Sequence, residues 1–200
     1  MVDYISSISL SHNYFTRDSH IMITKRLKSK KAIQQYCQLY TAITGLEIPA
    51  QYLSHAKVYG YFQQGCLKGG YMINDICNNE CRTLNCFVNA TDRERISSKI
   101  SELHSAIELC CFWLSRKTIN YRRASMMIWI DMAIKSTIQR CSHIVYGTNV
   151  KMLANVYAQP SNSILLHSDY INGKNTWTFY GKKSCMLVSV YGILKARMRK

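Results

Sequence analysis

The sequence predicts a mixed α/β (α+β) domain built on one mostly antiparallel sheet with flanking helices. Three observations carry this. Two strand-like segments, Lys57–Gln63 and Cys66–Ile73, flank a Gln64-Gly65 dipeptide, the pattern of a tight antiparallel hairpin. The stretch Ser105–Arg140 opens with an apolar run from Ala106 to Leu114, crosses a short basic connection, and continues as a second apolar run from Ala124 to Ile134. Strand and helix signals alternate along the rest of the chain, without an internal repeat or a low-complexity linker.

Residues 1–19 are polar and aromatic without clear period and read as an N-terminal extension. His20–Thr24 reads as a short strand, and Lys25, Arg26, Lys28, Lys30 and Lys31 follow as a basic cluster. A helix is predicted over Ser29–Thr44. Ser29 is its N-cap, Ile33, Tyr36, Cys37 and Tyr40 share one face, and Gly45 stops it. Ile48–His55 reads as a second short helix. Within the second hairpin strand, Gly69 and Gly70 weaken the pairing unless something approaches the backbone closely. Arg82–Val88 reads as extended, and Thr91–Leu103 as a helix with Thr91 and Glu94 as a capping box.

The aromatic and cysteine-rich run Ala106–Leu114 is a buried central strand. The following helix is apolar nearly all round from Met126 to Ile130. Its polar stripe, Asp131, Lys135 and Gln139, predicts one wet edge. His143–Tyr146 is a strand, Asn149–Gln159 a helix ended by Pro160, and Ile164–His167 and Trp177–Tyr180 are strands with an Asn172-Gly173 turn between them. Ser184–Tyr191 reads as a last strand and residues 195–200 as a basic tail. The 200 residues make a single domain with a sizeable core.

Lys and Arg outnumber Asp and Glu by 26 to 11, for a net charge of +15. That excess points to a polyanionic partner: nucleic acid, an acidic membrane surface, an acidic peptide or a phosphorylated cofactor. Nine cysteines, several inside apolar runs, suit reduced buried thiols. No secretory pattern opens the sequence, and no uncharged apolar run approaches the roughly 18 residues of a membrane span. These features favour a cytoplasmic protein. Cys77, Cys81 and Cys86 lack a paired knuckle and a nearby histidine, so no metal is expected.

The basic connection does not fit an ordinary helix start. A helix N-terminus favours acids in its first turn, yet here Arg116 and Lys117 precede Arg122 and Arg123 with no acid between them. The arrangement is reasonable if an anion sits there, held by free backbone N–H groups and the arginines. A nucleic-acid module would spread its cations over an extended face. A tight cluster at one helix start suits a compact pyrophosphate better.

At Tyr121-Arg122-Arg123-Ala124-Ser125-Met126-Met127, following a strand and opening a helix, the sequence resembles the GNAT acyltransferase superfamily. The order of elements from about His20 onward matches that family: a hairpin, a central fourth strand, a pyrophosphate-binding helix start, and a fifth strand splayed from the fourth around the pantetheine arm. Tyr121 and Arg122 match the family's loop, while Arg123, Ser125 and Met127 stand where it carries glycine. The resemblance implies coenzyme A or acyl-CoA as donor substrate and transfer of an acyl group to an amine. The donor-binding residues it implies are Phe112, Trp113, Leu114, Arg116, Tyr121, Arg122, Arg123, Ala124, Ser125, Met126 and Asn149. Within the superfamily, the glycine departures resemble the branch that handles long acyl chains, including autoinducer and N-acyl-amino-acid synthases; by analogy alone, the superfamily also suggests maturases that attach a fatty acyl group to a lysine-type amine of a ribosomally made peptide. The basic balance suits an acidic leader peptide. Alternatives are an acetyl transferase acting on a protein or small amine, and a non-catalytic basic nucleic-acid-binding module.

Such a transfer needs a neutral amine, a held oxyanion and a protonated leaving thiolate. Glu108 is the acid of the central strand. Under strict alternation it shares a face with Cys110, Phe112 and Leu114. It reads either as a general base or as a structural ion pair. Tyr157 lies in the element where the family carries its thiolate-protonating tyrosine, and reads either as that group or as core. Asn149 reads as a pantetheine ligand or as a plain N-cap, and Met126, Met127 and Met132 as an acyl tunnel or as core.

Overall fold

The computed structural model describes residues 24–76, 81–99, 106–160, 163–171 and 173–198. Seven strands form one sheet: β1 (Lys25–Arg26), β2 (Ala56–Gln63), β3 (Cys66–Asp75), β4 (Ala106–Leu114), β5 (His143–Thr148), β6 (Ser163–Ile171) and β7 (Lys174–Lys182). Their spatial order is β1-β2-β3-β4-β5-β7-β6. Every neighbouring pair is antiparallel except β4 and β5, which are parallel. The helices are α1 (Lys30–Thr44), α2 (Ala50–Leu53), α3 (Arg82–Phe87), α4 (Ala90–Lys99), α5 (Tyr121–Thr137), α6 (Lys151–Tyr157) and α7 (Cys185–Met198).

Local chemistry sets several of these elements. Ser29 caps α1 by accepting the Ala32 N–H at 3.2 Å, and Gly45 ends it in the left-handed conformation. Gln64 and Gly65 both have positive φ, 52° and 74°, the backbone that a two-residue hairpin between β2 and β3 requires. Gly70 has φ 152°, and a Cβ there would lie 2.0 Å from the Tyr59 carbonyl oxygen. The close approach that the glycines in β3 imply is thus a real contact.

The sheet separates two helical layers. On one face α5, α6 and α7 pack Ala124, Ile128, Trp129, Met132, Tyr157, Met186 and Val190 against Ile107, Leu109, Leu114, Ile144, Tyr146 and Phe179. On the other, α1 sets Tyr36 and Tyr40 against Val58, Met72, Cys111 and Trp113. There α3 and α4 bury Leu84 and Ile96 with Ala106, Val145 and Tyr180.

Four expectations are corrected. Arg82–Phe87 is a helix, not an extended segment, because the Glu108 carboxylate on β4 accepts the N–H groups at its first turn. Helix α4 starts at Ala90, with Asn89 rather than Thr91 as its cap. Asn89 accepts the Asp92 N–H at 2.9 Å and donates to the Asp92 carboxylate at 2.8 Å. Cys185–Met198 is a helix, and it buries Cys185, Met186, Ser189 and Val190 at helical spacing. The Asp131 stripe is not wet. Asp131 Oδ2 accepts from Thr24 and Tyr71 and pairs with Lys135 at 2.9 Å, while Lys135 Nζ also donates to the Thr24 carbonyl. This network ties α5 to the chain entering β1. The predicted strand at His20–Thr24 and the extension at 1–19 lie, Thr24 apart, outside the described residues.

Candidate active site

β4 and β5 pair over only four residues, from Ala106↔His143 to Leu109↔Tyr146. Beyond that point β4 continues against β3 as far as Leu114↔Gly69, and β5 continues against β7 as far as Thr148↔Trp177. The two strands therefore part at Leu109 and leave a gap between residues 110–114 and 147–148.

A β-bulge sits where they part. Met72 pairs with Cys110 and Gly70 with Trp113, so Tyr71 faces two residues of β4. Cys111 takes the left-handed conformation, φ 54°. The extra residue reverses the alternation. Phe112 and Leu114 pack with the α5 layer, while Cys111 and Trp113 pack with α1. Strict alternation had placed Phe112 and Leu114 beside Glu108, and the bulge separates them.

The bulge also decides which amides face the gap. Ser115 N–H donates to the Lys68 carbonyl at 2.7 Å, on the β3 side. The two-residue period then turns the N–H and C=O of Leu114, and those of Phe112, to the side that β5 has left.

The basic loop closes the same end of the sheet. Ile119 N–H donates to Gln63 Oε1 at 2.8 Å and Gln63 Nε2 donates to the Ile119 carbonyl, which pins the loop to the end of β2. Asn120 opens α5 in the left-handed conformation without a side-chain cap, and no acid lies in the first turn. Arg116, Arg122 and Arg123 are exposed there, and the Arg116 guanidinium lies 5.2 Å from the Tyr121 ring centroid. Among the described residues, no ion pair links Arg116 or Arg123 to a carboxylate. The Thr118 hydroxyl in this loop is buried with no hydrogen-bond partner. Ala124 and Ser125 face inward and are buried, and Met126 is half-buried. The outward surface of the turn is therefore Arg122 and Arg123, with Tyr121 half-buried against the core.

Tyr157 lies beneath the fork. Its ring contacts Tyr146 at 4.8 Å, Phe179 at 5.8 Å and Trp129 at 6.1 Å, and Trp129 in turn meets Phe112 at 5.0 Å. Burial pushes the phenol far above its ordinary range, which keeps it protonated and makes it a weaker proton donor than a free tyrosine. Trp129 and Tyr146 belong to this group but carried no signal in the sequence beyond apolar periodicity.

Glu108 is 0% exposed. Its carboxylate accepts from Asn74 Nδ2 at 3.3 Å, Arg82 N–H at 3.0 Å, Thr83 Oγ1 at 2.5 Å and Thr83 N–H. It lies on the α3 side of the sheet, with its acceptor sites occupied. Asn149 is exposed at the rim of the gap and is not a cap: the N-cap of α6 is Val150, which has no side-chain hydrogen bond in that role. Cys81 is buried in the core, and the described residues contain no group of three ligands able to hold a metal. Cys77 lies outside the described residues.

No protein-family model and no curated protein sequence matches the chain. Solved structures do. The AHL synthase LasI superposes with a TM-score of 0.62 at 14% identity, covering 86% of this chain and 95% of its own. FeeM, an N-acyl amino acid synthase from uncultured soil microbes, gives 0.59 at 9% identity, over 81% and 90%. A GNAT-family protein from Desulfovibrio desulfuricans gives 0.50 at 9% identity, over 81% and 99%. The chain has the GNAT fold. At these identities the likeness establishes architecture, and it agrees with the parallel, parting β4 and β5 inside an otherwise antiparallel sheet. In a GNAT fold assembled this way, the strand gap, the gap-facing amides and the arginine-flanked start of α5 converge at one end of the sheet.

Proposed function

We propose that this GNAT-fold chain is an acyl-CoA-dependent N-acyltransferase. One observation carries the reading. The amides of Phe112 and Leu114, beyond the last β4–β5 pair, open onto the same end of the sheet as an uncapped, acid-free helix start bearing Arg122 and Arg123. A diphosphate bound by the N–H groups of Tyr121–Arg123 and by the arginines would leave its pantetheine arm lying along β4. There it pairs as an added strand would. The buried, unpartnered Thr118 hydroxyl fits a loop that meets a polar ligand. Arginine side chains supply the contact that a glycine backbone supplies elsewhere, since Arg123 and Ser125 keep the phosphate further from the chain.

In this reading an N–H at Phe112 or Leu114 holds the carbonyl oxygen as it becomes an oxyanion. The Trp113 side chain packs on the opposite layer and contributes shape only. Tyr157, protonated and packed between Tyr146 and Trp129, donates to the departing thiolate. Asn149 reaches the pantetheine amides from the β5 rim. Glu108 does not take the amine's proton, because four donors already occupy its carboxylate. Its work is to hold α3 on β4, and the proton leaves through water in the gap. The acceptor is an amine, and the net charge of +15 favours one carried on an acidic peptide, such as a lysine-type side chain of a ribosomally made precursor. The donor is a long-chain acyl-CoA or, in the nearest alternative, acetyl-CoA.

The test is calorimetric titration with coenzyme A, followed by mass spectrometry of the chain with acyl-CoAs of graded length and amine or peptide acceptors. Saturable CoA binding and an acyl mass increment on the acceptor are expected. No binding up to millimolar CoA would overturn the reading. A basic nucleic-acid module is the second reading, favoured by net charge alone. It would appear as DNA or RNA binding that weakens steeply with salt.

A further inference from the structure

In a regular strand, neighbouring side chains point to opposite faces, so adjacent cysteines hold their sulfurs apart. Cys110 and Cys111 depart from this. The bulge, with Cys111 at φ 54°, turns both side chains to the α1 face, and their sulfurs stand 3.6 Å apart. Cys111 is buried and Cys110 half-buried. The same turn of chain is fixed from α1, where the Tyr36 hydroxyl donates to the Cys111 carbonyl at 2.5 Å. It immediately precedes the gap-facing amides of Phe112 and Leu114.

We propose that Cys110 and Cys111 form a reversible oxidation site that closes to a vicinal disulfide and resets the β4 edge. Hydrogen peroxide takes two electrons from the two thiols. One S–S bond forms, two S–H bonds break, and the peroxide leaves as two waters. The sulfurs must approach from 3.6 Å to the roughly 2.05 Å of a disulfide. Adjacent Cα atoms are about 3.8 Å apart, below the range of unstrained disulfides. Such a bond is easily reduced, as a labile switch requires and a structural staple does not. Closure tightens the bulge, moves the Cys111 carbonyl away from Tyr36, and tilts the amides of Phe112 and Leu114. The hydrogen bond with Cys111, then burial, push the Cys110 thiol upward, so the reaction speeds up as pH rises above neutrality.

The experiment treats the whole protein with hydrogen peroxide over a pH series. It then blocks free thiols under denaturing conditions and maps peptides by mass. The peptide carrying both residues should lose two hydrogens, escape alkylation and recover both thiols with dithiothreitol, faster at higher pH. Phenylarsine oxide, which bridges two close thiols, should add once to the native chain and not to C110S or C111S. Full alkylation of both thiols while exposed Cys66 oxidises would overturn the site, and so would a bond from either sulfur to Cys37. CoA affinity forms a separate arm: it should fall at least fivefold on oxidation and stay constant in C110S. A disulfide that forms without changing CoA affinity overturns the switch but keeps the site. A chain that never binds CoA overturns the proposed function and leaves the thiol result standing.

Discussion

Replacing Glu108 by glutamine separates an anchoring carboxylate from a catalytic one. The carboxylate is wholly buried and accepts from Asn74, from two consecutive backbone N–H groups at the start of α3, and from the Thr83 hydroxyl. Glutamine is nearly isosteric, so no cavity forms. However, one oxygen becomes an NH2 group that must face a donor, whichever way the amide turns. Hydrogen bonds to a charged acceptor contribute about 1.5–3 kcal/mol each, and at least one is replaced by a donor–donor clash. The favourable contact of the carboxylate with the helix start is lost as well. Relief of the charge-burial cost offsets part of this, leaving a destabilisation of about 3–5 kcal/mol, the usual range for breaking a buried charged network. For a domain of this length each kcal/mol moves Tm by about 2–4 °C, so Tm should fall by roughly 6–20 °C. The assay is thermal unfolding by circular dichroism, paired with turnover at saturating substrate well below the new Tm. Turnover of the folded fraction should stay within about threefold of the parent. An unchanged Tm with turnover reduced a hundredfold would refute the reasoning and return Glu108 to the role of general base.

Removing Arg122 and Arg123 together by alanine substitution should weaken CoA binding about 10- to 100-fold and flatten its salt dependence, with acceptor KM unchanged, as read by calorimetry and steady-state kinetics. Tyr157→Phe keeps the ring contacts with Tyr146, Phe179 and Trp129, so Tm should move little while kcat falls at least tenfold. Gly70→Ala places a Cβ 2.0 Å from the Tyr59 carbonyl oxygen, so it should cost more than about 3 kcal/mol or abolish folding, as judged by soluble yield and chemical denaturation. Burial pushes the Tyr146 phenol from 10.0 up to about 12. The native state then holds its proton where the unfolded chain has lost it. Its contribution is whole below pH 10 and fades towards pH 12, by at most about 2.7 kcal/mol. The Tyr146 share of the phenolate absorbance, read as the difference between the parent and Tyr146→Phe, should therefore rise together with unfolding rather than before it.

Where a signal was local, it was legible. Ser29 and Gly45 bound α1, Gln64-Gly65 turns the hairpin, and the cation-rich start of α5 follows β4 as the residue order implied. Where the cause lay elsewhere in the chain, the sequence misled. Arg82–Phe87 has no helical period of its own, and its first-turn acceptor is a carboxylate 25 residues away. Asp131, Lys135 and Gln139 look like a solvent stripe until Thr24 and Tyr71 arrive to bond Asp131. In Cys185–Met198 the β-branched and aromatic residues Val188, Val190 and Tyr191 outweighed the helical spacing of Met186, Ser189 and Val190. Leu187, Val188 and Tyr191 prove to be exposed. The gap and a donor-binding edge at Phe112–Leu114 were implied by resemblance to a family, but the bulge within that strand was not legible, because a left-handed cysteine carries no sequence mark.

The single extra residue in β4 links these observations. Pairing in a sheet requires amides to alternate in step on both strands, and a bulge breaks that step. The β4–β5 ladder ends at Leu109, and Cys110 is the last residue of β4 in step with β3 before the left-handed Cys111, so the strands part where the bulge sets in. β3 can follow the bend because Gly69 and Gly70 lie opposite it. A side chain at either would strike the Trp113 or Tyr59 carbonyl. An unpaired strand edge within a sheet is a liability, because its N–H and C=O groups lose hydrogen bonds that the rest of the ladder keeps. A chain that keeps the bulge, and matches it with two glycines on the next strand, keeps an edge suited to a ligand that brings amides of its own.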